Sequence, residues 1–162
     1  MILIGIGGNL PSRFGPPQKG LPRALDILAA KGVDILQCSP WYGAYAVPPS
    51  EQPDFVNAVV QIVAAMPPEE LLQCLQSVER EFGRVRDMPN AARTLDLDLL
   101  AYNEVCLDNG VQVPHPRLHL RAFVLAPLRD IAPHWRHPLL NLTASELFAA
   151  LPPPHGVWRL DP

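Results

Sequence analysis

The stretch Arg93-Thr94-Leu95-Asp96-Leu97-Asp98-Leu99 alternates leucine with acid, and a two-residue period fits an extended strand with one apolar and one polar face. Leu95, Leu97 and Leu99 are then expected to face a core, while Asp96 and Asp98 lie side by side on the opposite face. Two carboxylates that close repel unless a cation sits between them or one is protonated, so the pair points to a hard divalent metal, with magnesium the natural candidate. A solvated strand face that happens to carry two acids is the alternative at this spacing. Arg84, Arg86 and Arg93 lie close by in sequence, and the guanidinium fork is well shaped to hold phosphate oxygens. Acids with arginines point to a metal-bound polyphosphate.

At 162 residues and 48% hydrophobic content, residues 1–162 are expected to form a single domain around one core. The formal net charge of −3 argues against broad attraction to nucleic acid or anionic lipid. Cys38, Cys74 and Cys106 are far apart and form no C-x-x-C pair, which suits reduced thiols better than a disulfide framework or a zinc site. The chain opens on Met1-Ile2-Leu3-Ile4 without a basic leader, and no apolar run approaches the ~20 residues of a membrane span. A cytoplasmic location is expected.

Punctuation residues set the order of elements. Residues 1–7 read as a strand ended by Gly7-Gly8-Asn9, followed by a proline-rich loop to residue 20 and a helix over 21–31 stopped by Gly32. Residues 33–41 read as a second strand, 42–54 as a loop and 56–64 as a third strand. Pro67-Pro68-Glu69-Glu70 opens a helix whose apolar stripe is Leu71, Leu72, Leu75, Val78 and Phe82. A basic loop over 84–93 leads to the twin-acid strand. A short hairpin is expected over 104–113, short helices over 117–128 and 143–151, and an irregular tail over 152–162, where Pro152, Pro153 and Pro154 exclude helix. The order β-α-β-β-α-β predicts an α+β fold of the ferredoxin-like type, an antiparallel sheet with helices on one face, the other face free for a site, and C-terminal additions.

Six segments in order closely resemble 6-hydroxymethyl-7,8-dihydropterin pyrophosphokinases: residues 5–10 (GIGGNL), 52–58 (QPDFVNA), 83–86 (GRVR), 93–98 (RTLDLD), 113–116 (VPHP) and 121–128 (RAFVLAPL). The resemblance runs from the first strand to about residue 133. It implies transfer of a diphosphoryl group from ATP to the hydroxymethyl group of a reduced pterin, giving AMP and the pterin diphosphate, a step of folate biosynthesis. Transfer of this kind needs positioning and charge neutralisation more than a protein nucleophile.

By the same resemblance, Asp96 and Asp98 hold two magnesium ions, and Arg84 and Arg93 stabilise charge in the transition state. Glu79, Arg86, Leu99, His115 and Arg121 match nucleotide-contacting positions. Phe55 and Phe123 match the rings that sandwich the pterin, Asn57 supplies directed polar contacts, and Gly7, Ala44 and Val47 match positions near that pocket. ATP is the co-substrate, no nucleic acid or membrane partner is implied, and a monomer suffices. Taken singly, Phe55 and Phe123 read as core aromatics, His115 as a loop histidine and Glu79 as an exposed helix residue.

The chain departs from the family pattern at Ala44-Tyr45-Ala46, where Thr-Pro-Pro is frequent, at Gly8 in place of serine, and at Pro89-Asn90-Ala91-Ala92, which lacks a tryptophan found in some members; Gly110 and Gln112 stand where some relatives place arginine and threonine. Other readings remain at this point. Leu10 breaks a G-x-G-x-x-G fingerprint, and no G-x-x-x-x-G-K-[ST] loop occurs. An RNA-binding module on the same fold would carry aromatics and a basic sheet face, which Asp96 and Asp98 oppose. A non-catalytic pterin or nucleotide sensor would bind without forming AMP.

Overall fold

The computed structural model describes residues 1–85 and 88–162. Among the described residues, eight strands and four helices follow in the order β1 (Ile2–Gly8), α1 (Pro17–Ala30), β2 (Asp34–Cys38), β3 (Tyr42–Ala44), β4 (Phe55–Val63), α2 (Pro68–Glu81), β5 (Asp96–Tyr102), β6 (Leu107–Asn109), β7 (Val111–Val113), α3 (Ala122–Ile131), α4 (Ala144–Ala149) and β8 (Val157–Arg159). A six-stranded antiparallel sheet runs β5-β1-β4-β3-β8, and β2 pairs with β4 beyond β3. β6 and β7 form the expected hairpin.

Alternation divides the strands as their sequence requires. Ile2, Ile4 and Ile6 of β1, Val60 and Ile62 of β4, and Leu97 and Leu99 of β5 share one core with Leu21, Ala24 and Leu28 of α1 and Leu71, Leu75 and Val78 of α2. Each fully buried aliphatic side chain contributes roughly 1.5–3 kcal/mol by leaving water. The opposite face is not left free along its length. Leu3, Val59, Leu100 and Ala101 are apolar there, and Val124, Leu125 and Leu128 of α3 with Leu147 of α4 cover them in a second core. The expectation of helices on one face is therefore corrected: exposed apolar positions at one end of that face require a cover, and α3 supplies it. The other end carries Gly7, Asn57, Asp96 and Asp98 and stays open as a cavity.

Several boundaries also shift. α1 starts at Pro17, four residues before the expected start, because a proline at the first turn loses no helical hydrogen bond. The second expected strand stops at Cys38: Pro40 has no N–H to donate, and the Ser39 hydroxyl accepts from Val59 N and donates to Pro40 O. The segment expected as a loop contains β3, and the tail expected to be irregular contains β8, the two paired with each other. The helix expected over 117–128 is a single 3-10 turn (Leu118–Leu120) and then α3, separated by the extended Arg121. Among the described residues no helix is long and apolar enough to cross a membrane.

Candidate active site

A cavity of about 440 Å³ opens where the carboxylate end of β5 meets the start of β4 and the approach to α3. Its two ends differ in chemistry: the β5 end carries Asp96 and Asp98, and across Gly7 the β4 end carries Phe55 and Asn57, with Ala44 beside them on β3. Arg84, Arg93, His115, Arg121, Phe123 and Val47 also line the cavity. These positions are spread from residue 7 to residue 123, and the sheet register gathers them: Gly7 lies between Asn57 and Asp96, and Gly5 is opposite Asp98.

Asp96 and Asp98 do face the same side of β5, with Leu95, Leu97 and Leu99 buried on the other. Burial, and secondarily the charge of Asp96, push the Asp98 carboxyl up to about 7. A pair that resists carrying two negative charges suits a hard divalent cation, whose remaining coordination positions would fall to phosphate oxygens and water. The arginines compensate part of that charge. Arg84 Nη1 lies 2.5 Å from Asp96 Oδ1 and 2.7 Å from Glu79 Oε1, and Arg93 Nη1 lies 3.2 Å from Asp96 Oδ2. Arg121 Nη1 is 3.7 Å from Asp98 Oδ2. Burial opposes the Arg84 charge, yet Asp96 and Glu79 outweigh it and hold its pKa above the usual arginine value. At Arg121 burial prevails over Asp98 and lowers the value.

His115 is a neutral ring. Burial first, then the charges of Arg121 and Arg117, lower its pKa to about 4. Its Nδ1 accepts the backbone N–H of Arg117 at 3.1 Å, which leaves the ring proton on Nε2. At the other end, Asn57 Oδ1 rests against the α-carbon of Gly7, where a β-carbon would collide with it. The Asn57 Nδ2 is buried and has no hydrogen-bond partner among the described residues, so a donor stands ready beside two aromatic rings. Arg93 is 5.6 Å from the Phe55 centroid and Arg121 is 5.4 Å from that of Phe123, each at a distance that permits cation–π attraction.

Two of the expected residues do not line the cavity. Glu79 is 2% exposed, and its Oε1 accepts from Arg84 and from the backbone N–H of Leu97 at 2.8 Å. It braces α2 against β5 from beneath. Leu99 falls on the buried side of the β5 alternation, in the core under α1 and α2. Arg86 lies outside the described residues.

Sequence reasoning missed the supports. Buried Asn9 donates to Gln52 Oε1 at 2.8 Å and Pro53 O at 2.9 Å and accepts from Arg93 N at 2.9 Å, while Gln52 Nε2 donates to Asn90 O at 3.0 Å. One amide thus ties the loop after β1 to the loops before β4 and β5. The signal was present, since Asn9 and Gln52 both fall in the resemblance segments, but neither carries a reactive group. Tyr45, Asn90, Arg117 and Leu120 also line the cavity.

Residues 3–133 match the family model described as 7,8-dihydro-6-hydroxymethylpterin-pyrophosphokinase (HPPK). The chain is 38% identical over 162 residues to a 2-amino-4-hydroxy-6-hydroxymethyldihydropteridine pyrophosphokinase of Synechocystis sp., covering 99% of this chain and 80% of that protein. It is 39% identical over 161 residues to the protein of that name from Pseudomonas aeruginosa, covering 98% and 96%. The fold is similar to that in a crystal structure of a Plasmodium falciparum HPPK-DHPS triple mutant, with TM-score 0.69 and 13% identity, over 91% of this chain and 43% of that one. Matched along most of its length in sequence and built on the same fold, the chain belongs to the 7,8-dihydro-6-hydroxymethylpterin-pyrophosphokinase family.

Proposed function

We propose that this protein transfers the diphosphoryl group of ATP to the hydroxymethyl group of 6-hydroxymethyl-7,8-dihydropterin, the folate-pathway reaction carried in its relatives' name. The observation that carries the reading is the two-ended cavity, in which acids and arginines meet a pair of phenylalanine rings and an unpartnered amide. A polyphosphate suits the first end and a flat heterocycle with mixed donors and acceptors suits the second. The hydroxymethyl oxygen attacks the β-phosphorus, the bond from that phosphorus to the oxygen bridging to the α-phosphate breaks, AMP departs, and the hydroxyl proton is lost.

Asp96 and Asp98 would hold two magnesium ions, which when bound polarise the phosphate oxygens and acidify the attacking hydroxyl. The protein's own groups do the rest. Arg84 and Arg93, which pair with Asp96, would turn to the phosphate oxygens and stabilise charge on the transferred group. Arg86, His115 and Arg121 contact the nucleotide, with Glu79 and Leu99 setting that site from behind. Phe55 and Phe123 sandwich the pterin, Asn57 orients it, and Gly7, Ala44 and Val47 complete its walls.

The frame we assign is the ferredoxin-like split βαβ arrangement within one domain, a reading supported by the order β5-β1-β4-β2 across the central strands. We read the protein as a monomeric enzyme acting on small molecules. Supplies of ATP and magnesium favour the cytoplasm as its location. Purified protein mixed with ATP, magnesium and 6-hydroxymethyl-7,8-dihydropterin is expected to release AMP; no AMP above background refutes the reading. RNA retarded in a gel with steep salt dependence would instead favour a nucleic-acid module.

A further inference from the structure

β8 lies beyond the residues that match the family model, yet it pairs with β3, the strand that carries Ala44 of the cavity lining. β3 is only three residues long, and one of its edges pairs with β4 beside the proposed pterin contacts: Tyr42 is opposite Asn57 and Ala44 opposite Phe55. The other edge pairs with β8, with Gly43 opposite Trp158 and Ala44 opposite Val157. Two further backbone bonds extend that seam, Leu160 N to Trp41 O at 2.9 Å and Tyr45 N to Gly156 O at 3.1 Å. Without β8, so short a strand would have a single partner and little to hold it.

Side chains lock the same seam. The Trp158 indole lies over Gly43, so close that a β-carbon there would collide with the ring. Trp158 also packs on Tyr45, ring centroids 4.9 Å apart at 55°. Tyr45 is 62% exposed and Trp158 36% exposed, and Tyr45 lines the cavity together with Ala44 and Val47. The tail is anchored in turn: His155 packs on Phe148 of α4 with centroids 4.6 Å apart. The segment Ala44-Tyr45-Ala46 has none of the stiffness of consecutive prolines, and rigidity reaches it through this aromatic clasp.

We propose that the C-terminal strand is a substrate-positioning arm, in which Trp158, seated on Gly43 and Tyr45, fixes the wall formed by residues 44–47 against the reduced heterocycle. The inference rests on the pterin site proposed above. Trp158 is a positioning residue that acts through β3, and its loss is expected to weaken the heterocycle far more than the nucleotide, whose proposed contacts Asp96, Arg84 and His115 lie outside β3 and β8.

Calorimetric titration of 6-hydroxymethyl-7,8-dihydropterin and, separately, of ATP with magnesium tests this on the full chain. Trp158→Ala is expected to weaken pterin binding about tenfold and ATP binding less than about twofold, Trp158→Phe to restore most of the loss, and Gly43→Ala to reproduce it by displacing the indole. Melting curves exclude unfolded variants, and Trp158→Phe serves where Trp158→Ala does not fold. Pterin affinity unchanged in Trp158→Ala and Gly43→Ala overturns the proposal, as does equal weakening of both ligands. Normal AMP release by the parent protein together with unchanged pterin affinity in the variants would reject the arm alone. A parent protein that binds pterin but forms no AMP rejects the transfer reaction and leaves the arm to the titration, while a parent that binds no pterin rejects both.

Discussion

Arg84 Nη1 lies 2.5 Å from Asp96 Oδ1, so the proposed phosphate-binding arginine and the proposed metal ligand are paired with each other. At the proposed site a divalent cation would compete with Arg84 for Asp96, leaving the arginine to Glu79 and to the phosphate oxygens. Replacing Arg84 by alanine is expected to tighten Mn²⁺ binding in the absence of nucleotide, while AMP formation falls on the order of 10²–10³-fold. Isothermal titration and steady-state kinetics on one preparation check both halves.

Glu79 holds Arg84 from below and accepts the Leu97 N–H. Glu79→Gln preserves shape but weakens a charge-assisted bond to a nearly buried arginine, with a stability loss of about 1–3 kcal/mol in urea unfolding. Turnover is expected to fall more than ATP affinity, because the misplaced guanidinium acts on charge that develops during transfer. Equal losses in both would assign Glu79 to ground-state nucleotide binding.

Asp98 is raised to about 7 by burial and by Asp96. A carboxyl whose folded value is raised contributes stability that is full below its unfolded value of about 4 and is lost as pH rises through about 7. Asp98→Asn is therefore expected to stabilise the metal-free protein at pH 8, with a melting temperature higher by about 2–4 °C, while removing activity. The side chain keeps 30% of its surface exposed, so added salt should diminish the gain.

His115 carries the opposite sign. Its value is lowered to about 4 by burial and by Arg121 and Arg117, so its contribution is present above its unfolded value near 6.5 and disappears as pH falls toward about 4. Between those limits Asp98 and His115 oppose each other. In Asp98→Asn the melting temperature should climb from pH 4 to 6.5, and in His115→Gln it should decline across the same range.

Phe55 and Phe123 wall the apolar end of the cavity. Either change to alanine is expected to raise the KM for the pterin about tenfold or more and leave that for ATP within about twofold. A parallel rise for ATP would place the rings elsewhere in the reaction.

What could be read from the residues was what repeats at short range. The Leu-Asp alternation of β5 located the acid pair because a period of two leaves one arrangement, and the Leu71-Leu75-Val78 stripe located α2. β3 and β8 escaped because strands of three residues carry almost no periodicity, and the pairing of the two spans more than a hundred residues. The brace by Glu79, the knot at Asn9 and the covering of Leu3 and Val59 by α3 are likewise long-range facts. Glu79 looks like any exposed helix acid until β5 and Arg84 are set beside it.

AMP release, followed side by side for the parent protein and Asp96→Ala with ATP, magnesium and 6-hydroxymethyl-7,8-dihydropterin, puts the twin-acid site to its most direct trial. Continued, pterin-dependent turnover is expected in the first, and background alone in a folded variant. Comparable AMP from both proteins, or AMP that forms without pterin, would contradict it.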